Sequence, residues 1–490
     1  MKPTLKLLAF DLGSSNGKTF LGSFDGSRLS LELIERFANG PISIRDELFW
    51  NVPGIYDRLA NGIRWAIRNH YPIVSVGLDS FSNDFGLLDS NGHYVTQMHC
   101  YRDERTKRNE NKIYERIPRK KLHALSGNQN ALFGTVMQLI SMRLEDQGYL
   151  LDGSGKLLFL PDLLIYFLTG KIQAEYTIAS VSQMMDFSTG NWSQEILAVC
   201  DVPERIMPPI TPTGSKLGRI TAIPECNSIE VISVCEHDTA SAFLAAPLGA
   251  ESIIISSGTW SLVGLETDKP IINEETYRHN VANEGGYPGH HRLLKNVMGL
   301  WIIQQCILEY SEQGEEHSVE ELMAMAEAEV PFRYLINPDD ERFFSPGAML
   351  RKIANYCQEH GQGYPTSPGQ VIRCVVESLA MQYRCVIEEL EAISYKKFST
   401  INVVGGGSNN RFLNQCVASA TGRRVIAGPA DATVLGNMIV QLIALGELTS
   451  VEQGRILIKN SFPMQIYEPM NVPAWEVRYQ EYVNSYTFQE

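Results

Sequence analysis

The stretch LAFDLGSSNGKTFLGSFDGS (residues 8–27) contains GSSNGKT, and how it is read decides the fold. Gly-Lys-Thr is how a P-loop ends, which would make the segment a nucleotide-binding strand, loop and helix. A P-loop needs four residues between its glycines. Gly13 and Gly17 enclose three, and Leu12, which would complete the spacing, carries a side chain where the loop needs none. A P-loop must also open a helix whose amino end faces phosphate. After Lys18 comes TFLGSF, alternating and β-prone, so the segment predicts a hairpin. Residues 1–37 then read as a three-stranded antiparallel meander with turns at 14–17 and 25–28.

A small-residue turn between strands can bind phosphate without a helix. Its backbone N–H groups, at Asn16 and Gly17 among others, form a concave anion site, and the Ser14 and Ser15 hydroxyls add donors. Lys18 supplies a point charge. Asp11, at the end of the preceding strand, sits badly beside phosphate unless a cation lies between them, which points to Mg²⁺. Taken alone, the hairpin is equally an ordinary turn. A second stretch, ESIIISSGTWSLVGLETD (251–268), repeats the rhythm of strand, small-residue turn and strand about 245 residues on, with Gly258 and Thr259 in its turn. The two hairpins suggest a duplicated architecture, each opening one half, with a boundary near 247–252. A strand running into Gly405-Gly406-Gly407 adds a junction where an adenine could approach the backbone, or where the glycines serve geometry alone. Together the three indicate a nucleotide cleft between two domains.

At 490 residues the chain exceeds one core and predicts two large domains or three small ones. Hydrophobic residues are 44% and charged residues 20%, ordinary for a globular protein. The formal net charge of −14 argues against nucleic acid or an anionic membrane as partner. No apolar run reaches a membrane span, and the start, MKPTLKLLAFDLG, is too short for a signal peptide, so a cytoplasmic location is expected. Nine scattered cysteines without CxxC spacing read as buried free thiols. No HExxH or zinc-like cluster appears. Nothing in the sequence marks an oligomer interface.

Further along, helices are predicted near 53–69, 160–168, 296–310, 319–328, 369–393, 411–421 and 433–446. Strands are predicted at 73–81, 229–234, 401–404 and near 423–428. Asp89-Ser90-Asn91-Gly92 predicts a hairpin turn. Mixed sheets with crossover helices in both halves place the chain in the α/β class. The polar loop CEHDTAS (235–241) joins a buried strand to a helix and puts Asp238 where it either caps that helix or faces the cleft.

These motifs resemble the FGGY family of carbohydrate kinases. The resemblance is carried by DLGSSNGK (11–18), YRDERT (101–106), HDTASA (237–242), SSGTWSL (256–262), NEGG (283–286), LLKNVMGLWIIQQC (293–306) and VVGGGSNNRFLNQ (403–415). It spans roughly residues 7–463. It implies an α/β two-domain actin-like ATPase fold, ribonuclease H-like, with a central cleft. The domains would be 1–248, bearing the sugar site, and 249–463, bearing the nucleotide site, with 464–490 as a tail packing on the body. It also implies transfer of the ATP γ-phosphoryl to a ketose hydroxyl, L-rhamnulose first and L-fuculose or xylulose as alternatives, with ATP and Mg²⁺ as cofactors. Matching residue by residue, Asp238 is the catalytic base. Ser82, Asp84, His237, Thr239 and Asn296 contact sugar. Ser14, Ser15, Asn16, Gly17, Lys18, Gly258, Thr259, Gln304 and Gly406 bind ATP, and Asp11 holds the metal. Asn296 and Gln304 also read simply as polar positions on one face of a helix starting near 296.

The match departs at residues 79–85. Where the nearest branch reads roughly D-T-W-G-V-D-F, this chain has Asp79-Ser80-Phe81-Ser82-Asn83-Asp84-Phe85. Ser82 narrows the pocket and adds a hydroxyl, which can retune which ketose is accepted. Glu236 is a further acidic departure beside the base. Two other classes share the fold: a non-catalytic sugar or ATP sensor, against which Asp11, Asp238 and both hairpins argue, and an ATPase acting on partner proteins, disfavoured by HDTASA and LLKNVMGLW.

Overall fold

Strand β1 (Leu5–Leu12) is apolar on both faces, as a central strand must be, and Leu7, Leu8, Ala9, Phe10 and Leu12 are all buried. The structure, a computed structural model, describes residues 4–70, 72–247, 249 and 251–486. Strand β2 (Asn16–Phe24) pairs antiparallel with β1, Asp11 facing Lys18 and Leu12 facing Gly17. Strand β3 (Leu29–Ala38) pairs antiparallel with β2, completing the expected meander. Lys18 therefore lies in a strand, and no P-loop helix follows it. On the other side β4 (Ile73–Ser80) runs parallel to β1, and β6 (Glu230–Ile232) runs parallel to β4, with β5 (Lys216–Arg219) antiparallel at the edge. The sheet order is β5-β6-β4-β1-β2-β3.

The helix Val52–His70 places Ile55, Leu59, Ile63 and Ala66 on one buried stripe, and Arg68 and His70 complement the carbonyls of its last turn. Its stripe packs into the core formed by β1 and β4. A second core surrounds the buried helix Thr135–Leu144.

The described chain forms two compact units, and neither is one continuous stretch. The first comprises Met1–Ala245, Glu266–Leu293 and Ala432–Ser461; the second comprises Ala246–Leu265, Leu294–Asp431 and Phe462–Glu490. The expected boundary at 247–252 includes positions 248 and 250, which lie outside the described residues.

In the second unit β7 (Ser252–Ser257) pairs antiparallel with β8 (Trp260–Thr267), giving the second expected hairpin. Strand β9 (Thr400–Val404) runs parallel to β7, β10 (Arg424–Ala427) parallel to β9, and β11 (Gln465–Tyr467) antiparallel at the end. The long helix Pro368–Ser394 begins at the Ser367 cap and supplies much of this unit's core.

One expected helix is corrected. Residues 296–310 are not continuous: strand His291–Met298 precedes helix Trp301–Glu312, so Asn296 and Gln304 do not share a helical face. The break is at Gly299, where a Cβ would stand 2.6 Å from Ser261 Oγ. Close packing of Gly299 on the second hairpin ends the strand, and the helix starts after it. All nine cysteines are free and buried, as expected. No helix among the described residues is long and apolar enough to cross a membrane.

Candidate active site

Three strands of the first sheet, β1, β4 and β6, are mutually parallel, and their carboxyl ends bring together residues far apart in the chain. Ligands of open α/β sheets bind at such ends. Asp11 lies near the end of β1 and is in register with Asp79 on β4. Beyond β6 the chain stays beside β4: Ser80 N–H donates to Glu236 O at 2.8 Å, and Ser80 pairs with His237 in a parallel bridge. This pairing delivers Asp238, the first residue of helix Asp238–Ala245, to the same edge.

The cluster is acidic. Lys18 Nζ lies 3.4 Å from Asp11 Oδ2. Asp79 is fully buried, its Oδ2 accepting from Asn437 Nδ2 at 2.6 Å, while its Oδ1 has no hydrogen-bond partner among the described residues. Burial, then the charge of Asp11 and, more weakly, of Asp238, raise its carboxyl well above the usual range, against the Asn437 hydrogen bond. Asp79 was not among the sequence candidates. Its signal is positional: it ends a buried strand as Asp11 does, but only the register puts the two side by side.

Asp238 is 29% exposed at its side chain, and its Oδ1 accepts from Thr239 N at 2.5 Å and Thr239 Oγ1 at 3.1 Å. That is not a helix-capping geometry, in which the side chain reaches the N–H two or three residues on. His237 takes the cap position instead, its carbonyl accepting from Ala240 and Ser241 N–H. The departure at Glu236 is structural. Its side chain is buried with Asp162 and Glu175 and accepts from Gln173 Nε2 at 3.0 Å and Ser233 Oγ at 3.2 Å; burial, then the charges of Asp162 and Glu175, raise its carboxyl.

The helix carrying Asp238 is held by a segment almost two hundred residues later. In helix Ala432–Ala444, Gly436 lies so close to Ser241 that a Cβ would stand 1.8 Å from its carbonyl oxygen. From the same helix Gln441 donates to Leu8 O and to Asn437 Oδ1, both at 2.8 Å, and accepts from Ser75 Oγ at 2.6 Å. Gly77 makes room, since a Cβ there would sit 2.4 Å from Asn437 Oδ1. This buried amide pair ties β1, β4 and Asp79 together.

The first phosphate-turn candidate is clamped from outside. Asn39 Nδ2 donates to Gly13 O at 2.8 Å and its N–H to Ser15 O at 3.0 Å, fixing the turn that presents Ser14 and Ser15. Gly17 lies against the Phe37 ring, which a Cβ there would meet at 2.2 Å, so a larger residue would have to displace the ring. In the loop after β4, Asn83 adopts φ 79° and Ser82 is half-buried. Asp84 is 1% exposed, and its oxygens accept from Trp50 Nε1 at 2.5 Å, Gln138 Nε2 at 2.8 Å and Tyr101 N at 3.0 Å. Burial pushes its carboxyl up to about 7, against those hydrogen bonds. Phe81 packs on the Trp50 ring at 4.6 Å. Asp84 is thus the hub of the loop.

In the second unit, the turn Gly258–Thr259 meets the start of helix Trp301–Glu312: Leu300 N–H donates to Gly258 O at 3.0 Å and Trp301 N–H to Thr259 O at 3.2 Å. Gln304 is exposed one turn into that helix. The triple glycine abuts the same hairpin. Gly405 has φ 83°, and a Cβ on Gly407 would stand 2.0 Å from Ser257 Oγ. Gly406 is exposed with open space where its Cβ would be. The structure therefore groups Gly258, Thr259, Gln304 and Gly406 around one hairpin end. Asn296 lies on the preceding strand, its side-chain oxygen buried without a partner among the described residues.

Backbone turns suited to phosphate and a carboxylate suited to accepting a proton are the two requirements of a phosphotransferase. The chain belongs to the FGGY family of carbohydrate kinases, whose N-terminal domain matches residues 6–245 and whose C-terminal domain matches 253–445. It is 39% identical over 481 residues to the rhamnulokinase of Bacteroides thetaiotaomicron, covering 97% of this chain and 98% of that one. To the rhamnulokinase of Oceanobacillus iheyensis it is 36% identical over 465 residues, covering 94% and 97%. Crystal structures of gluconate kinase and xylulose kinase from Lactobacillus acidophilus share the fold, each with a TM-score of 0.81, at 15% and 16% identity and over 97% or more of either chain. The family and the α/β kinase fold expected from the motifs are borne out.

Proposed function

We propose that this kinase phosphorylates L-rhamnulose to L-rhamnulose 1-phosphate at the expense of ATP, with Asp238 as catalytic base. The observation that carries the reading is the setting of Asp238: partly exposed at the carboxyl ends of parallel strands, with Oδ1 engaged by Thr239. Asp238 accepts the proton of the attacking hydroxyl as its oxygen bonds to the γ-phosphorus and the bond to the β,γ-bridging oxygen breaks, releasing ADP. His237, Thr239, Ser82 and Asn296 would orient the sugar. Asp84 would act by positioning the 81–84 loop, since its oxygens already accept three protein donors. Ser14 to Lys18 would receive phosphate in the first unit, and Gly258, Thr259, Gln304 and Gly406 the nucleotide in the second.

Mg²⁺ fits the donor set of the first unit. Asp11 and Asp79 carry hard oxygen donors in register, and Oδ1 of Asp79 has no hydrogen-bond partner among the described residues. No three His, Cys, Asp or Glu side chains among the described residues converge to ligate an ion directly, which suits Mg²⁺ held by Asp11 through water. When bound, the ion neutralises polyphosphate charge. Buried free thiols support a reducing, cytoplasmic setting.

A second reading, a kinase for L-fuculose or xylulose, is favoured by the 81–84 loop, where Ser82 adds a hydroxyl beside Phe81. ADP release measured over L-rhamnulose, L-fuculose, xylulose and ribulose distinguishes the two: highest kcat/KM with L-rhamnulose is expected. Asp238→Asn should keep nucleotide binding and lose turnover by about 10²–10⁴-fold. Near-normal turnover in that variant would exclude Asp238 as base.

A further inference from the structure

The NEGG segment and the strand after it carry two buried charges that the chemistry above leaves unused. Glu284 is 2% exposed and Arg292 1%, and they pair at 2.9 Å between Oε2 and Nη2. Arg292 Nε donates to Gly285 O at 2.8 Å, which fixes the plane of the guanidinium. The same Nη2 lies 3.1 Å from His237 Nδ1, and Glu284 Oε2 lies 3.3 Å from that nitrogen. On the far side of the ring, His237 Nε2 faces Asp238 Oδ1 at 3.5 Å. His237 cannot drift from this position, because its N–H donates to Thr177 Oγ1 at 3.1 Å and its carbonyl caps the Asp238 helix.

We infer that Arg292 is a positioning residue that sets the tautomer of His237, so that Nε2–H is turned on Asp238 Oδ1. The inference rests on the reading of Asp238 as base and deepens it. Guanidinium nitrogens only donate, so Nη2 requires a lone pair at Nδ1, and the single ring proton then resides on Nε2. Glu284 balances the buried arginine charge, which would otherwise be unpaired. With Thr239 N, Thr239 Oγ1 and His237 Nε2 all directed at Oδ1, the oxygen left to take the substrate proton is Oδ2. A wrong tautomer would aim a lone pair at Oδ1 and rotate the base.

The tautomer can be read directly. In ¹⁵N-histidine-labelled full-length enzyme, long-range ¹H–¹⁵N correlation, with the His237 signals identified by their loss in His237→Gln, should show a neutral Nε2–H ring. Arg292→Met should shift it to Nδ1–H, because Glu284 is then the only partner of that nitrogen. In kinetics, glutamine keeps an N–H near the place of Nε2–H and asparagine near that of Nδ1. His237→Gln should therefore retain at least about tenfold more kcat than His237→Asn. Arg292→Met should cost about 10–100-fold in kcat, by analogy with residues that orient metal-ligating histidines, with the KM for ATP unchanged. It should add little in the His237→Gln background. If Arg292→Met fails to fold, the Gln-against-Asn contrast still decides. An Nδ1–H ring or an imidazolium in the native enzyme, equal activity of the two His237 variants, or additive effects of Arg292→Met and His237→Gln would overturn the inference. Undiminished turnover in Asp238→Asn would instead remove the base assignment, whatever the tautomer.

Discussion

Asp84 shows how much a single position depends on its neighbours. As one acid in a short loop it reads as a sugar ligand, yet folding surrounds it with Trp50, Gln138 and the Tyr101 N–H and buries it almost completely. Its carboxyl titrates near 7, whereas an unfolded aspartate titrates near 4. Between those values the folded state holds the extra proton, so the contribution to stability is complete below about pH 4, shrinks as pH rises, and is gone above about 7. The full span is on the order of 4 kcal/mol at 1.36 kcal/mol per unit. Urea midpoints of the wild type should fall across this window relative to those of Asp84→Asn, and parallel pH profiles would refute the assignment. The residue proposed as base, by contrast, stands out in the sequence. HDTASA singles out Asp238 by motif, while its partner Asp79 sits in no motif and becomes significant only through register with Asp11.

At the scale of elements, glycines mark where one element rests on another. Of the three in Gly405-Gly406-Gly407, two are forced by packing against Ser257 and one is not. Gly407→Ala should destabilise by about 1–3 kcal/mol, the usual penalty of overpacking, as a lower denaturation midpoint. Gly406→Ala should leave the midpoint unchanged and raise the KM for ATP, because its Cβ points into open space where the nucleotide is proposed to approach. A lowered midpoint for Gly406→Ala, or an unchanged KM, would count against that placement. The meander, both hairpins and most helices were legible from period-two and period-3.6 patterns. The strand His291–Met298 was not. Its run Leu-Leu-Lys-Asn-Val-Met fits either period, and the break at Gly299 exists because a backbone elsewhere, at Trp260 and Ser261, occupies the space of a side chain.

For the whole molecule, composition predicted an acidic protein with unpaired cysteines, and all nine are buried. Burial pushes the thiols of Cys200 and Cys385 up to about 12 and Cys226 to about 11, so almost no reactive thiolate exists at neutral pH. A thiol reagent should label none of the nine rapidly in the native enzyme and all nine in guanidinium; a fast native thiol would contradict the packing. The first unit is built from three stretches, and its last, Ala432–Ser461, supplies Gly436, Asn437 and Gln441 to the strands that carry the site. The sequence by itself determined the hairpins in place of a P-loop, the α/β class and the kinase family, and it singled out Asp238, because turn chemistry, periodicity and short motifs are local properties of the chain. Only the tertiary structure decided the company those residues keep: Asp79 beside Asp11, the Asn437–Gln441 amides beneath β4, and Arg292 with Glu284 behind His237. Such pairings depend on strand register and on close approach between segments up to several hundred residues apart, and no local pattern encodes either.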